Sequence, residues 1–275
     1  MKRLIGREKE IESLEAYVDS GQAEFIAIYG RRRVGKTFLI NQLFRNRLAF
    51  SLTGIIDGTP SEQMESFVQA LEFNGYKINE HPKNWLTAFA ELRKFLQPKI
   101  NSGEPCIVFI DEISCFDSQR SGFVRALGFF WNSWASLQDN LILIICGSVT
   151  SWMITNIIDS KGGLHNRVTH EIALHQFTLH ETELYLLNRG FNWSRLTILQ
   201  AYMCLGGVPY YLSLLSASES LAENLDRLFF DRDAELQKEY SRLYKTLFKS
   251  PEQYMKIVKL LAESKQGLTR HEIST

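Results

Sequence analysis

Gly30-Arg31-Arg32-Arg33-Val34-Gly35-Lys36-Thr37 fits the pattern G-x-x-x-x-G-K-[ST] in full. It follows a continuously apolar run, Phe25-Ile26-Ala27-Ile28-Tyr29, and opens a helical pattern over 37–44. In that context the glycines let backbone N–H groups curl around phosphate oxygens, and the helix N-terminus adds its positive dipole. Lys36 is placed to neutralise β- and γ-phosphates, and the Thr37 hydroxyl to ligate Mg²⁺. Gly30, Arg33, Val34, Gly35 and Phe38 complete the positions expected to contact nucleotide on this loop. A chance glycine turn beside a surface lysine is the plain alternative, and strand, loop and helix in the required order speak against it.

A second apolar run ends in acid: Ile107-Val108-Phe109-Ile110-Asp111-Glu112. Asp111, at a strand's C-terminal end, is expected to make the second Mg²⁺ contact, and Glu112 to polarise an attacking water. Acidic residues after a strand are also common in turns. A weaker strand, 48–52, lies between the two motifs, and no Asn-Lys-x-Asp element for guanine appears, so ATP is expected over GTP. A third run, Leu141-Ile142-Leu143-Ile144-Ile145, leads into Cys146-Gly147-Ser148 and should lie beside the phosphate-loop strand. Ser148 is either a sensor of the γ-phosphate and lytic water or the N-cap of the helix that follows.

Short apolar runs alternate with helical patterns over 37–44, 63–73, 85–96 and 123–137, which predicts an open parallel α/β sheet with right-handed crossovers. After Leu174 the pattern is almost wholly helical, with apolar clusters at 184–187, 196–203, 212–215, 221–230 and 240–248. The expected domains are 1–176 for the nucleotide core, 177–249 for a helical lid and 250–275 for the start of a further module. Thr269-Arg270-His271-Glu272 has the form of a capping box that starts a helix near Thr275, which predicts a chain continuing past that residue.

The 275 residues carry 31 Lys+Arg against 31 Asp+Glu, and 45 % are hydrophobic, which excludes a disordered chain and removes the easiest argument for nucleic-acid binding. No apolar stretch reaches the roughly 18–20 residues of a membrane span, and no membrane partner is expected. Cys106, Cys115, Cys146 and Cys204 lack metal-ligand spacing, and the expected compartment is cytoplasmic.

Taken together, these segments resemble the archaeal-type ATPase family within the STAND class of AAA+-related P-loop proteins. The resemblance rests on Gly6-Arg7-Glu8 with Glu12 and Leu14, on Gly30–Thr37, on Ile107–Glu112, on Gly147-Ser148 and on Gly206-Gly207-Val208-Pro209. It implies that Gly6 and Arg7 lie near the adenine and that Pro209 contacts the base from the helical domain. It also places Arg167 where relatives carry an arginine near the γ-phosphate, although Asn166 precedes it here in place of glycine. Composition alone reads Arg167 as a surface charge. The stretch 250–275 resembles the beginning of a winged helix.

Read by itself, Gly206-Gly207-Val208-Pro209-Tyr210-Tyr211 is a helix connector whose aromatic pair could instead wall the adenine. Arg31, Arg32 and Arg33 either help hold nucleotide, face a partner subunit or are solvated. The function expected is a slow, Mg²⁺-dependent ATPase that binds ATP and ADP and acts as a nucleotide-controlled switch, with the helical domain closing on the nucleotide. Its rivals are an origin-recognition or loader type of DNA-associated ATPase and a non-hydrolysing nucleotide-binding scaffold, with a small-molecule kinase behind them. DNA contact is expected only through a longer C-terminal region. An arginine acting in cis and one acting in trans look alike in sequence, so a homo-oligomer or a partner protein stays open.

Overall fold

The computed structural model describes residues 4–237, 239, 244, 251–264 and 266–274. Its strands are β1 (Glu24–Tyr29), β2 (Leu48–Thr53), β3 (Cys106–Asp111), β4 (Leu141–Gly147) and β5 (His170–Ala173). They form one parallel sheet in the order β2-β3-β4-β1-β5. β1, β3 and β4 are buried almost throughout because helices cover both faces, which is why they read as unbroken apolar runs. The α/β sheet expected from the alternation is the sheet observed. β2 stands between the two motifs in sequence but at the sheet edge in space, and β4 is the strand that separates β1 from β3.

One face of the sheet is covered by α1 (Glu8–Val18) and α2 (Lys36–Phe44), through Leu14, Val18, Leu39, Ile40 and Phe44. The other is covered by α3 (Pro60–Phe73), α4 (Trp85–Ile100) and α5 (Phe123–Ser133). Aromatic rings fill that second layer; Trp85 meets Phe116 and Phe123 edge-on at 5.3 and 4.9 Å between centroids. Several boundaries differ from the sequence pattern, α3 beginning at Pro60, three residues ahead of the expected 63. Helix α1 has no counterpart in the expected elements, because its start is a turn of left-handed residues, Gly6 and Arg7, and carries no side-chain cap. Helix α4 runs through Pro98 to Ile100, since one missing N–H costs less than exposing Ile100, which packs into the core. Helix α5 stops at Ser133, where Trp134 leaves helical geometry to bury its ring and donate to Gln97 Oε1 at 3.2 Å.

Beyond α6 (Thr150–Met153) and β5 the described chain is helical: α7 (Leu179–Asn188), α8 (Arg195–Leu205), α9 (Pro209–Ser213) and α10 (Leu221–Leu225). The helix expected over 221–230 continues past Leu225 only as a wider π-type turn, Asp226–Phe230. The cluster expected over 240–248 lies outside the described residues, apart from Tyr244. Helix α11 (Pro251–Glu263) buries none of its side chains, and α12 (Arg270–Ser274) is opened by the predicted capping box, with Glu272 accepting from Thr269 N at 2.7 Å. No described helix is long and apolar enough to cross a membrane.

The helical part is joined to the sheet part through the Gly206-Gly207 turn. Phe177 N–H donates to Gly207 O at 2.7 Å, and a methyl group on Gly207 would fall 1.8 Å from the Phe177 carbonyl oxygen. Pro209 then takes the first position of α9, as its missing N–H allows. Gly207→Ala is therefore expected to destabilise the protein by about 2–4 kcal/mol, read as a lower urea midpoint, because backbone on both sides must move. A midpoint equal to that of the unchanged protein would show that this approach is not a structural requirement.

Candidate functional site

The phosphate loop runs from the end of β1 into α2. Gly35 has φ +95°, a conformation that side chains oppose, and it is the N-cap of α2 without any side-chain cap. The first N–H groups of α2 therefore have no capping side chain and carry the positive end of the helix dipole. The Lys36 ammonium closes the loop from inside, donating to Gly30 O at 2.8 Å and Arg31 O at 3.1 Å. Lys36 is buried, and that burial holds its pKa below the usual lysine range despite the nearby Glu112 and Asp111 carboxylates.

Across the sheet edge, the Thr37 hydroxyl donates to Asp111 Oδ2 at 2.5 Å, and Glu112 N–H donates to Asp111 Oδ1 at 2.9 Å. Asp111 is 2 % exposed, and burial pushes its carboxyl above the ordinary range against the pull of both hydrogen bonds. Glu112 adopts a left-handed backbone, φ 47° and ψ 46°, which costs roughly 1–2 kcal/mol in a non-glycine residue. Its Oε2 accepts from Ser148 Oγ at 2.7 Å. Ser148 is therefore a partner of Glu112, and the N-cap of α6 is Val149. Lys36, Thr37, Asp111, Glu112 and Ser148 meet at the C-terminal edge of β1, β3 and β4, where open α/β sheets hold ligands.

Arg7 and Gly6 lie beside this edge. The Arg7 guanidinium is buried, donates to Val34 O at 3.3 Å and to His175 O, and stands 4.8 Å over the Phe177 ring. Burial lowers its pKa, opposed by Glu10 and Glu181. Gly6 packs against Glu181 of α7. A cleft of about 340 Å³ opens next to the loop, lined by Tyr29, Gly30, Val34, Thr150 and the stretch from Ala173 to Gln176. A larger open depression, about 530 Å³ over residues 227–235, contains none of these groups. Phe38 is exposed in the first turn of α2.

Arg167 and the pair Tyr210–Tyr211 fall elsewhere. The Arg167 side chain is exposed, and its backbone N–H closes a turn on Leu164 O. Thr169 N–H donates to Phe25 O, so this segment meets the N-terminal edge of the sheet. The phosphate loop is at the other end of β1, about 16 Å away at ~3.3 Å per residue. Arg167 thus lies apart from the Lys36–Asp111 group of its own chain. The pair Tyr210–Tyr211 is occupied by Arg33, whose guanidinium lies 4.3 Å over the Tyr210 ring and pairs with Glu239. The Tyr211 hydroxyl donates to Glu239 at 2.8 Å, and burial together with that carboxylate pushes the phenol up to about 12. Glu239 escaped the sequence reading because nothing near it in the chain marks a partner some 200 residues away.

Residues 4–215 match the model of an ATPase domain found predominantly in Archaea. The chain belongs to that family. An uncharacterized protein of Methanocaldococcus jannaschii, MJECL04, is 26 % identical over 262 residues, 94 % of this chain and 54 % of its own. The chain thus spans about half the length of that relative. A second M. jannaschii protein, the uncharacterized ATP-binding protein MJ0423, is 44 % identical over 43 residues, 16 % of this chain and 73 % of its own. Among solved structures, the Walker-type ATPase paby2304 of Pyrococcus abyssi has a TM-score of 0.63 at 17 % identity, covering 98 % of this chain and 87 % of its own. The Aeropyrum pernix ORC2 protein, solved as ADPNP–ADP complexes, has a TM-score of 0.64 at 14 % identity, covering 99 % of this chain and 79 % of its own. At these identities the structural likeness shows the fold, that of a P-loop NTPase.

The archaeal ATPase domain holds a stability cost at its acid. Between the ordinary carboxylate range and the raised one of Asp111, the native state binds more protons than the unfolded chain, so this group's contribution falls as pH rises through that window. At pH 7 Asp111→Asn is expected to raise unfolding stability by about 1 kcal/mol in the absence of nucleotide. The gain should shrink toward pH 4. Denaturant titrations at the two pH values check it, and a gain independent of pH would refute this account.

Proposed function

We propose that this archaeal ATPase domain binds ATP with Mg²⁺, hydrolyses it slowly and works as a nucleotide-controlled switch. The observation that carries the reading is the meeting of Thr37 with Asp111, and of Glu112 with Ser148, beside the uncapped N-terminus of α2. A hydroxyl and a carboxylate are hard oxygen donors of the kind Mg²⁺ prefers, so Thr37 and Asp111 are the residues that would hold it. When bound, Mg²⁺ supplies charge neutralisation on the phosphate oxygens. Lys36 and the α2 N–H groups hold the β- and γ-phosphates, with Gly30, Arg33, Val34, Gly35 and Phe38 lining the approach. Glu112, fixed by Ser148, orients water and accepts its proton.

Gly6, Arg7 and Pro209 bring the base side of the site to the junction of the sheet and the helical part. There the helical domain closes on the nucleotide. Arg167, remote from its own chain's loop, completes the site of a second copy, which makes turnover depend on assembly.

ATP turnover measured against protein concentration tests these roles together. Specific activity is expected to rise with concentration in the unchanged protein. Lys36→Ala should lose both nucleotide binding and turnover. Glu112→Gln should bind ATP yet turn over about 10²–10³-fold more slowly. Arg167→Ala should stay at the low-concentration rate throughout. Full turnover by Glu112→Gln would remove that residue from the chemistry, and a flat concentration profile would remove Arg167.

A further inference from the structure

Arg33 stands in left-handed backbone, φ 70°, three residues before Lys36 on the phosphate loop. Its guanidinium does not turn to the site's carboxylates. It pairs with Glu239 and lies over Tyr210 of α9. Glu239 is 6 % exposed, accepts from the Tyr211 hydroxyl, and keeps its other oxygen buried without a hydrogen-bond partner. Glu235, four residues earlier, accepts from the Tyr210 hydroxyl at 2.7 Å. Two carboxylates of one segment thus clasp the two tyrosines of α9, and the loop's arginine neutralises the buried one.

We propose that this clasp is a nucleotide-sensitive strap: phosphate charge on the loop draws Arg33 from Glu239 and frees the segment carrying Glu235 and Glu239. Several negative charges on a bound triphosphate compete with a single carboxylate for one guanidinium. Once Arg33 turns to phosphate, Glu239 becomes a buried carboxylate with no cation, a strongly unfavourable arrangement that is relieved by leaving α9 for water. The rest of the helical part has no reason to follow. Phe177 and Gly207 are joined through backbone, a link that carries no charge for phosphate to draw on. The strap carries nucleotide state from the loop to the chain that follows α10, and it rests on the reading of the loop as a nucleotide site.

Hydrogen–deuterium exchange of the full chain, with and without saturating Mg²⁺ and ATP, reads the strap in peptides covering residues 231–237. Exchange there is expected to rise on adding ATP, and in Glu239→Gln to be already high and insensitive to ATP. Glu239→Gln keeps the side chain's size and removes its charge. By calorimetry it should tighten ATP binding about tenfold, the factor expected if about a tenth of molecules have Arg33 released beforehand. Tyr211→Phe removes only the hydroxyl and should move both readouts in the same direction by less, which covers failure of Glu239→Gln to fold. Unchanged exchange over 231–237 with ATP bound overturns the strap, as does weaker ATP binding by Glu239→Gln. Lys36→Ala separates the two readings: if it and the unchanged protein both give no binding heat, the nucleotide site fails and takes the strap with it.

Discussion

The 2.5 Å hydrogen bond from the Thr37 hydroxyl to Asp111 Oδ2 joins residues 74 positions apart, and the rest of the site depends on it. It reaches across the end of β4, which lies between β1 and β3. In that order the loops after β1, β3 and β4 open on one sheet edge, and Ser148 at the end of β4 falls within reach of Glu112 at the end of β3. With β4 elsewhere in the sheet, Glu112 would lose the Ser148 hydroxyl that it meets at this edge. The continuous burial of the three strands follows from the same arrangement. Central parallel strands have helices on both faces, so nearly every side chain must be apolar.

The edge so built is electrostatically expensive. Lys36 and Asp111 are both buried, and burial shifts each toward its neutral form. Their partners are two backbone carbonyls, one hydroxyl and one backbone N–H, which satisfy hydrogen bonds without supplying a full opposite charge. Glu112 adds backbone strain. A fold selected for stability alone would place a hydrophobic residue at each of these positions. Buried charge, an uncapped helix end and a strained acid side by side are a cost to the fold, set against the apolar layer under α3, α4 and α5.

Much of this was legible in the sequence, because the signals were local. The loop from Gly30 to Thr37 and the run ending in Asp111-Glu112 each combine a strand's composition with polar residues at its end, so strand and turn, and the residues that meet there, were readable together. The position of β4 followed from the same logic. What escaped was set by tertiary contact. The left-handed turn at Gly6-Arg7 that starts α1 carries no capping side chain to read, and Pro98 looks like a helix end until Ile100 is seen in the core. The side of the sheet on which Arg167 falls depends on whether a loop enters or leaves a parallel strand. It enters β5, which puts the arginine at the N-terminal edge.

The two parts of the molecule are held together by links of different kinds, and the kinds decide what each can transmit. The Phe177–Gly207 contact is backbone to backbone and packed too tightly for a methyl group. The Arg7 contact is cationic, with backbone carbonyls as acceptors, Glu10 at 3.6 Å and Phe177 over its face. The first of these links contains no charge that phosphate could draw on. Arg33 with Glu239 is an ion pair whose cation belongs to the phosphate loop and whose anion belongs to the far segment. Changing the charge on the loop alters the balance of that pair directly while leaving the backbone link untouched. A molecule with a charge-insensitive backbone link and a charge-sensitive ion pair can stay assembled while a single segment changes state.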